Sequence, residues 1–290
     1  MPTKIEKDVV TGMHTTGHEW DGIMELNTPL PKWWLWTFYA CILAAIVYFV
    51  LMPAIPLGKS YTKGLLGYST RGEVEKSLAK AAVAQEKNLT AIKTLPTADI
   101  RKNPELATFA VTGGKVLFGD NCAPCHAAGG AGQAGGYPTL ADDDWIWGGD
   151  LAAIEQTIRY GIRSGNDQGR MSDMPKFGAD GLLTPAQISD VADYVFSLSN
   201  PGQAGASLAS GKALFADNCA SCHAEDGAGM QEVGAPSLKD KIWLYGGDKA
   251  SIRRQIHLPQ QGVMPVWGER LDDASIKMLA LYVHSLGGGR

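Results

Sequence analysis

The sequence predicts an all-α protein: a single N-terminal transmembrane helix followed by two tandem copies of one small helical domain. Three observations carry this. An uncharged run of 20 residues extends from Trp33 to Met52. Four sequence blocks recur in the same order between residue 105 and the end of the chain. Within each copy the apolar residues fall at helical spacing behind helix-capping residues, and no strand pattern competes there.

The apolar run is long enough to cross a bilayer, since 20 residues of helix span roughly 30 Å. Pro29 and Pro31 precede it and Pro53 and Pro56 follow it, where proline is tolerated because it lies outside the helix interior. Trp33, Trp34 and Trp36 stand at its start and form an aromatic belt at headgroup level, with Tyr48 near the other face. The run begins past residue 30 and exceeds a usual signal-peptide core, so it reads as an uncleaved anchor. Lys4, Lys7 and Lys32 before the span are balanced by Lys59, Lys63 and Arg71 after it, so charge alone does not orient it. Cys41 reads as a small apolar residue of the span.

The repeat is explicit. "GKVLFGDNCAPCHA" from Gly114 answers "GKALFADNCASCHA" from Gly211, "YPTLADDDWIWGGD" from Tyr137 answers "APSLKDKIWLYGGD" from Ala235, "MPKFG" from Met174 answers "MPVWG" from Met264, and "ADYVFSL" from Ala192 answers "ALYVHSL" from Ala280. Each copy has about 90 residues, a size at which a large apolar cofactor helps to fill the core. The expected segments are 1–32 (cytoplasmic N-terminal segment), 33–55 (anchor), 56–104 (linker and helix), 105–200 (first domain) and 201–290 (second domain). Pro104 behind Asn103 opens a helix that runs to the first cysteine pair, with Gly113 and Gly114 as weak points. Asp150 and Asp248 cap short helices bearing Ile154 and Ile158, or Ile252 and Ile256. Thr184-Pro185-Ala186-Gln187 has the form of a capping box opening a last helix; Asp272 or Asp273 serves the second copy. "EVEKSLAKAAVAQEKNLTAI" from Glu73 is either a packing helix or a solvated spacer, and "TLPTADIRKNP" reads as linker.

The chemistry lies in Cys122-Ala-Pro-Cys125-His126 and Cys219-Ala-Ser-Cys222-His223. Both are C-x-x-C-H, the attachment pattern of c-type haem, so two haem c groups are expected. Two thiols one turn apart suit thioethers to the two vinyl groups, and the adjacent His126 or His223 is carried under the iron. Zinc would need further Cys or His nearby, and a redox dithiol a βαβ context. Met174 and Met264 precede proline in matched blocks and are the expected sixth ligands; Met171 and Met230 lack counterparts. A Met/His pair raises the haem potential and closes the iron to exchangeable ligands, which suits electron transfer. Whether each Met serves its own copy or crosses to the other is open at this level. Pro138 and Leu140, and Pro236 and Leu238, follow each His in a P-x-L pattern: the Pro carbonyl would hold the imidazole N–H and the Leu would cover the haem. A turn followed by a core Leu would have the same pattern. Trp145 and Trp243 either wall the haems or pack the core. Arg159, Arg163, Arg253 and Arg254 are candidate propionate partners or simply solvated. The glycine-rich "GGAGQAGG" follows no strand, which argues against phosphate binding. A formal net charge of −4 with no basic tract excludes nucleic acid as a partner. No nucleophile-base pair stands out, so no catalytic residue is expected.

Two modules of C-x-x-C-H, P-x-L, Met-Pro and a closing aromatic helix resemble cytochrome c domains over residues 105–290. "GHEWDGIMELNTPLPKWWLWTFY", from Gly17 to Tyr39, resembles the N-terminal signature of the CcoP/FixP subunits of cbb3-type cytochrome c oxidases. That resemblance spans nearly the whole chain. It implies an electron-transfer subunit, not an enzyme on its own. Such a subunit receives electrons from a cytochrome bc complex, often through a soluble cytochrome c. It passes them to a mono-haem subunit and on to a haem b–copper subunit that reduces oxygen to water and pumps protons. It also implies the bacterial inner membrane, a single pass, a cytoplasmic N-terminus and periplasmic haem domains, because haem is attached in this way outside the cytoplasmic membrane. The rival readings are a free-standing membrane di-haem cytochrome or the haem subunit of a membrane dehydrogenase, and, in another class, a haem-based gas sensor or an assembly factor.

Overall fold

The computed structural model describes residues 4–202 and 208–287; residues 1–3 and 288–290, at the outer ends of the first and last expected segments, lie outside them, as do 203–207 beside the expected domain boundary. The chain divides into two units, Met1–Val83 and Ala84–Arg290.

The first unit opens with an antiparallel hairpin, β1 (Thr15–Trp20) and β2 (Ile23–Leu26). Asp21 and Gly22 both have positive φ, 48° and 83°, which is the backbone demanded by a two-residue turn that matches strand twist. Glu25 ties the strands: Trp20 Nε1 donates to its Oε1 (3.1 Å) and Thr16 Oγ1 to its Oε2 (3.0 Å). From sequence alone this N-terminal segment carries no secondary-structure assignment; the chain as a whole is mostly helical, as expected. Helix α1 (Lys32–Leu51) is long and apolar enough to cross a membrane, and none of it is buried. Trp33, Trp34 and Trp36 are exposed at its start, with Trp34 stacked on Phe38 at 5.3 Å. Its last carbonyls are not left open, because Leu65 N donates to Val50 O and Leu66 N to Leu51 O, both at 3.0 Å. Those bonds satisfy acceptors that a helix end otherwise exposes.

Helix α2 (Thr70–Thr94) settles the spacer question in parts: Val74, Leu78 and Val83 are exposed, whereas Ile92 is fully buried. The expected linker after it contains a short helix, α3 (Thr97–Lys102), whose Ile100 is also fully buried. Propensity of "TADIRK" is weak; one apolar residue aimed into a core decides the conformation.

In the second unit α4 (Pro104–Asn121) starts where Asn103 Oδ1 accepts from Leu106 N at 3.1 Å. Helices α5 (Ala123–His126) and α6 (Leu151–Tyr160) follow, then α7 (Pro185–Ser199). The second copy supplies α8 (Leu208–Asn218), α9 (Ala220–His223), α10 (Lys249–His257) and α11 (Asp273–His284). Asp150, Asp248 and Asp272 cap α6, α10 and α11. The capping box of α7 is complete: Thr184 Oγ1 accepts from Gln187 N at 3.4 Å while Gln187 Oε1 accepts from Thr184 N at 2.9 Å. Thr184→Ala removes one half of it and should cost about 1 kcal/mol, read as a lower midpoint in denaturant unfolding.

The longer helices pair mainly across the two copies. Helix α4, from the first copy, packs on α11 from the second, and α7 from the first packs on α8 from the second. The two crossings match in detail. At α4/α11 Gly114 faces the Met278 carbonyl and Tyr282, and the Phe118 and Tyr282 rings lie 5.3 Å apart at 57°. At α8/α7 Gly211 faces the Asp190 carbonyl and Tyr194, and the Phe215 and Tyr194 rings lie 5.3 Å apart at 58°. Gly114 is therefore a contact residue: without a Cβ the two backbones can touch. The result is an inner module, contiguous in sequence from the Met174 segment through α10, and an outer module built from the two ends. Each has its own apolar core, around Val191, Phe215 and Ile252 in the inner one and around Phe118, Ile158 and Leu279 in the outer one.

The exchange is secured where the two Met segments pass the opposite helix. Ile162 and Met264 exchange both backbone hydrogen bonds at 3.0 Å, and Gly268 N donates to Arg159 O at 3.0 Å. In the mirror position Gly178 N and Ala179 N donate to His257 O at 3.2 and 3.0 Å. Arg163 Nε reaches Gly262 O (2.7 Å) and its Nη1 reaches Ser172 O (2.9 Å), while Gln261 Oε1 accepts from Met174 N at 2.9 Å.

Candidate haem c sites

Each C-x-x-C-H forms one helical turn at the end of a helix that buries one face, with Phe118 or Phe215 in the core. Cys125 N and His126 N both donate to Cys122 O (3.1 and 2.9 Å), and Cys222 N and His223 N to Cys219 O (3.2 and 2.9 Å). The turn brings both thiols of a pair to one side. Cys122 and Cys219 are half-buried, Cys125 and Cys222 exposed, and all four are free thiols. Burial first, and then the neighbouring cysteine, pushes the Cys122 and Cys219 thiols up to about 11. Immediately after each His the chain enters an unfavourable conformation, with φ 59° at Ala127 and φ 63° at Ala224. A non-glycine residue there stores on the order of 1–3 kcal/mol, and finding it at both matched positions marks the turn that aims the histidine.

The imidazoles are fixed from behind. His126 Nδ1 lies 3.2 Å from Pro138 O and His223 Nδ1 lies 3.0 Å from Pro236 O. A carbonyl accepts only, so Nδ1 carries the proton and Nε2 keeps its lone pair for a metal. Burial lowers the pKa of both rings, partly offset by those carbonyls, which keeps them neutral and able to ligate. Leu140 N donates to Gly130 O and Leu238 N to Gly227 O, both at 2.7 Å, folding each P-x-L segment back over its His.

Met264 packs against the outer core together with Cys122, Ala123, Leu140 and Trp145. Met174 packs against the inner core together with Cys219, Ala220, Leu238 and Trp243. Each methionine thus stands with the other copy's cysteine motif. Met171 is 61 % exposed, and Met230 sits in the loop between His223 and Pro236, bridged to Ala235. The donor set around each motif, two free thiols, a neutral imidazole and a thioether in an apolar wall, fits haem c. When bound, the group supplies reversible one-electron transfer.

The four arginines singled out in the sequence are engaged by protein groups. Arg159 joins Glu155 (3.1 Å) and Asp273 (2.5 Å), Arg163 holds the crossing, Arg253 lies 3.9 Å from Asp193, and Arg254 donates to Ser251 Oγ (2.9 Å). The two copies also interlock at their His-to-Trp loops. Gln231 Nε2 donates to Trp145 O at 2.9 Å, Trp147 fills the space beside Gly234, and Tyr245 fills the space beside Gly136. Near this seam Asp144 is pushed up to about 6 by burial first, then by Asp240 and Asp142. A carboxyl raised in the folded state favours folding below its unfolded value of 3.8, and that contribution is lost as pH rises through about 6. Asp144→Asn should therefore raise the melting temperature at pH 7.5, with the gain shrinking between pH 6 and 4; an equal gain across that range would refute the cause given.

An apolar anchor helix with two such modules defines a class, the membrane-anchored proteins with two cytochrome c domains. Family comparisons divide the chain in the same order. Residues 12–59 match the N-terminal domain of cytochrome oxidase-cbb3, FixP, residues 111–199 match cytochrome c, and residues 206–283 match cytochrome C oxidase, cbb3-type, subunit III. The chain is 53 % identical over 292 residues to the cbb3-type cytochrome c oxidase subunit CcoP of Azospirillum brasilense, covering 98 % of this chain and 99 % of that one. It is 53 % identical over 285 residues to subunit FixP of Azorhizobium caulinodans (98 % and 96 %) and 49 % identical over 279 residues to CcoP of Cereibacter sphaeroides (95 % of each). The chain belongs to the CcoP/FixP family of di-haem cytochrome c subunits of cbb3-type oxidases, and it is an electron-transfer subunit of an enzyme complex.

Proposed function

We propose that the chain binds two haem c groups with crossed axial ligands. One is held by thioethers at Cys122 and Cys125, with His126 and Met264 on its iron. The other is held at Cys219 and Cys222, with His223 and Met174. The packing of each methionine on the same core as the opposite cysteine motif carries this reading. Pro138 and Pro236 orient the imidazoles, and Leu140 and Leu238 cover the haem faces. Because the modules interlock through Gln231–Trp145, Trp147 and Tyr245 within one compact unit, the two haems are held close together, which suits electron passage between them.

The subunit sits in the bacterial inner membrane by a single pass of α1, N-terminus in the cytoplasm and haem modules in the periplasm. Its anchor segment is 33–55 and its linker 56–104. It takes electrons from a cytochrome bc complex or a soluble cytochrome c. They leave toward the mono-haem cytochrome c subunit and the haem b–copper subunit, where oxygen is reduced to water with proton pumping. Support comes from the exposed Trp belt of α1 and from relatives named as oxidase subunits along their whole length. The test is a reduced-minus-oxidised spectrum of material purified in mild detergent through this chain. Haem b signals and oxygen consumption beside the haem c band are expected; haem c alone, without oxidase partners, would make the chain an independent carrier.

A further inference from the structure

The two Met segments are held by different means. Met264 is tied by backbone alone: its N–H donates to Ile162 O, and Ile162 N donates to its carbonyl, both at 3.0 Å. No side-chain substitution removes that bridge. Counted from the matched isoleucines Ile158 and Ile256, the residue in the place of Ile162 is Gln260. Its backbone is already engaged nearby: Gln260 N donates to Gln255 Oε1 at 3.1 Å, and Gln255 Nε2 donates to Gln260 O at 2.9 Å. What meets Met174 instead is a side chain, Gln261. Met174 N donates to Gln261 Oε1 at 2.9 Å, and Gln261 Nε2 turns toward Met174 O at 3.5 Å. One amide thus takes the place of a backbone rung, with its short half at the oxygen, since a backbone N–H can only donate.

Gln261 is launched from a fixed backbone. On one side Gln255, in α10, brackets Gln260. On the other, Arg163 Nε holds Gly262 O at 2.7 Å, and the same guanidinium reaches Ser172 O, just before Met174, at 2.9 Å. Beyond Met174 the chain is held again, where Phe177 is buried in the inner core and Gly178 N donates to His257 O at 3.2 Å. Between these fixed points the amide bracket is the contact that sets the Met174 backbone itself. A thioether is a weak, neutral donor on a flexible side chain. Its bond to a metal therefore depends on how closely the groups behind it hold it in place.

We propose that Gln261 is the positioning residue for Met174, and that the haem attached at Cys219 and Cys222 keeps its thioether ligand only while that amide bracket is made. This rests on the crossed ligation proposed above. The two sites then differ in kind: the Met264 ligand is secured by backbone, the Met174 ligand by one replaceable side chain. Without the bracket Met174 is free to leave the iron. Met/His ligation raises the haem potential, so its loss lowers it.

The experiment uses the full chain in its complex, carrying both covalent haems. It reads a redox titration and the red charge-transfer band by which oxidised haem c reports a bound thioether. Met174→Leu sets the reference: one midpoint falls and half the band is lost. Gln261→Leu, and Gln261→Ser, which is too short to reach Met174, are expected to lower that same midpoint and weaken the band by up to half. Gln261→Glu keeps an oxygen of the same reach for the Met174 N–H and should retain most of the band. The double variant Gln261→Leu/Met174→Leu should titrate like Met174→Leu alone, because a residue acting through Met174 has nothing left to act on. Unshifted midpoints in both Gln261→Leu and Gln261→Ser, a further fall in the double variant, or a Gln261→Glu chain as impaired as Gln261→Leu overturns the proposal. If Met174→Leu itself leaves both midpoints and the band unchanged, the ligand assignment is what fails, and the proposal falls with it.

Discussion

Replacing Met264 with leucine is expected to lower the potential of the haem carried by the first copy, leaving that of its own copy unchanged. Met264 packs against the same core as Cys122 and Leu140, and loss of a thioether ligand should lower the potential by on the order of 0.1 V or more, within the ~0.8 V range that axial ligands command. The distinction can be made cleanly by removing one haem. In a Cys122→Ala/Cys125→Ala background only the second haem remains. There Met264→Leu should leave the redox titration unchanged, whereas Met174→Leu should lower it. The opposite pattern would mean that each methionine serves its own copy, and the crossed reading would fail.

The second large effect is at the helix crossing. A Cβ at Gly114 would lie 2.2 Å from the Met278 carbonyl oxygen and 2.8 Å from Tyr282 Cβ. The first of these is backbone within a helix and cannot step aside. Gly114→Val should therefore cost about 3 kcal/mol and separate α4 from α11. Hydrogen exchange by mass spectrometry would show where the loss falls: protection should drop in α11 and hold in α7. Gly211→Val should do the reverse, because Gly211 meets Asp190 and Tyr194. If Gly114→Val instead exposed α7, the pairing between copies would be wrong.

Much of this was legible in the sequence, because the signals are local. Asn103, Asp150, Thr184, Asp248 and Asp272 cap the helices they precede, and side-chain-to-backbone capping needs no knowledge of the fold. The Met-Pro residues stood out by matching between copies. The partners of those methionines did not. Two near-identical copies present near-identical faces, so Gly114 and Phe118 suit the closing helix of either copy. The choice is made by Arg163 and Gln261, in segments that read only as loops, and by the His257 carbonyl at the end of α10. Gly114 itself looked like a weak point of a helix, since propensity counts what glycine lacks and close backbone contact depends on that lack. The hairpin did leave a signal, Asp21-Gly22 between Trp20 and Ile23, overshadowed by the apolar run behind it. Ile100 left none: it is a single apolar residue in a polar stretch.

The exchanged helices also set an order of events during synthesis. The inner module has all its parts once α10 has emerged, whereas the outer one lacks a wall until α11, at the end of the chain, arrives. The first cysteine motif to be synthesised is therefore the last to be enclosed, after a delay on the order of ten seconds at usual elongation rates. During that interval Cys122 and Cys125 stand open while the second motif is already meeting its own shell. A chain shortened before Asp273 would lose the pocket farthest from the cut and spare the nearer one.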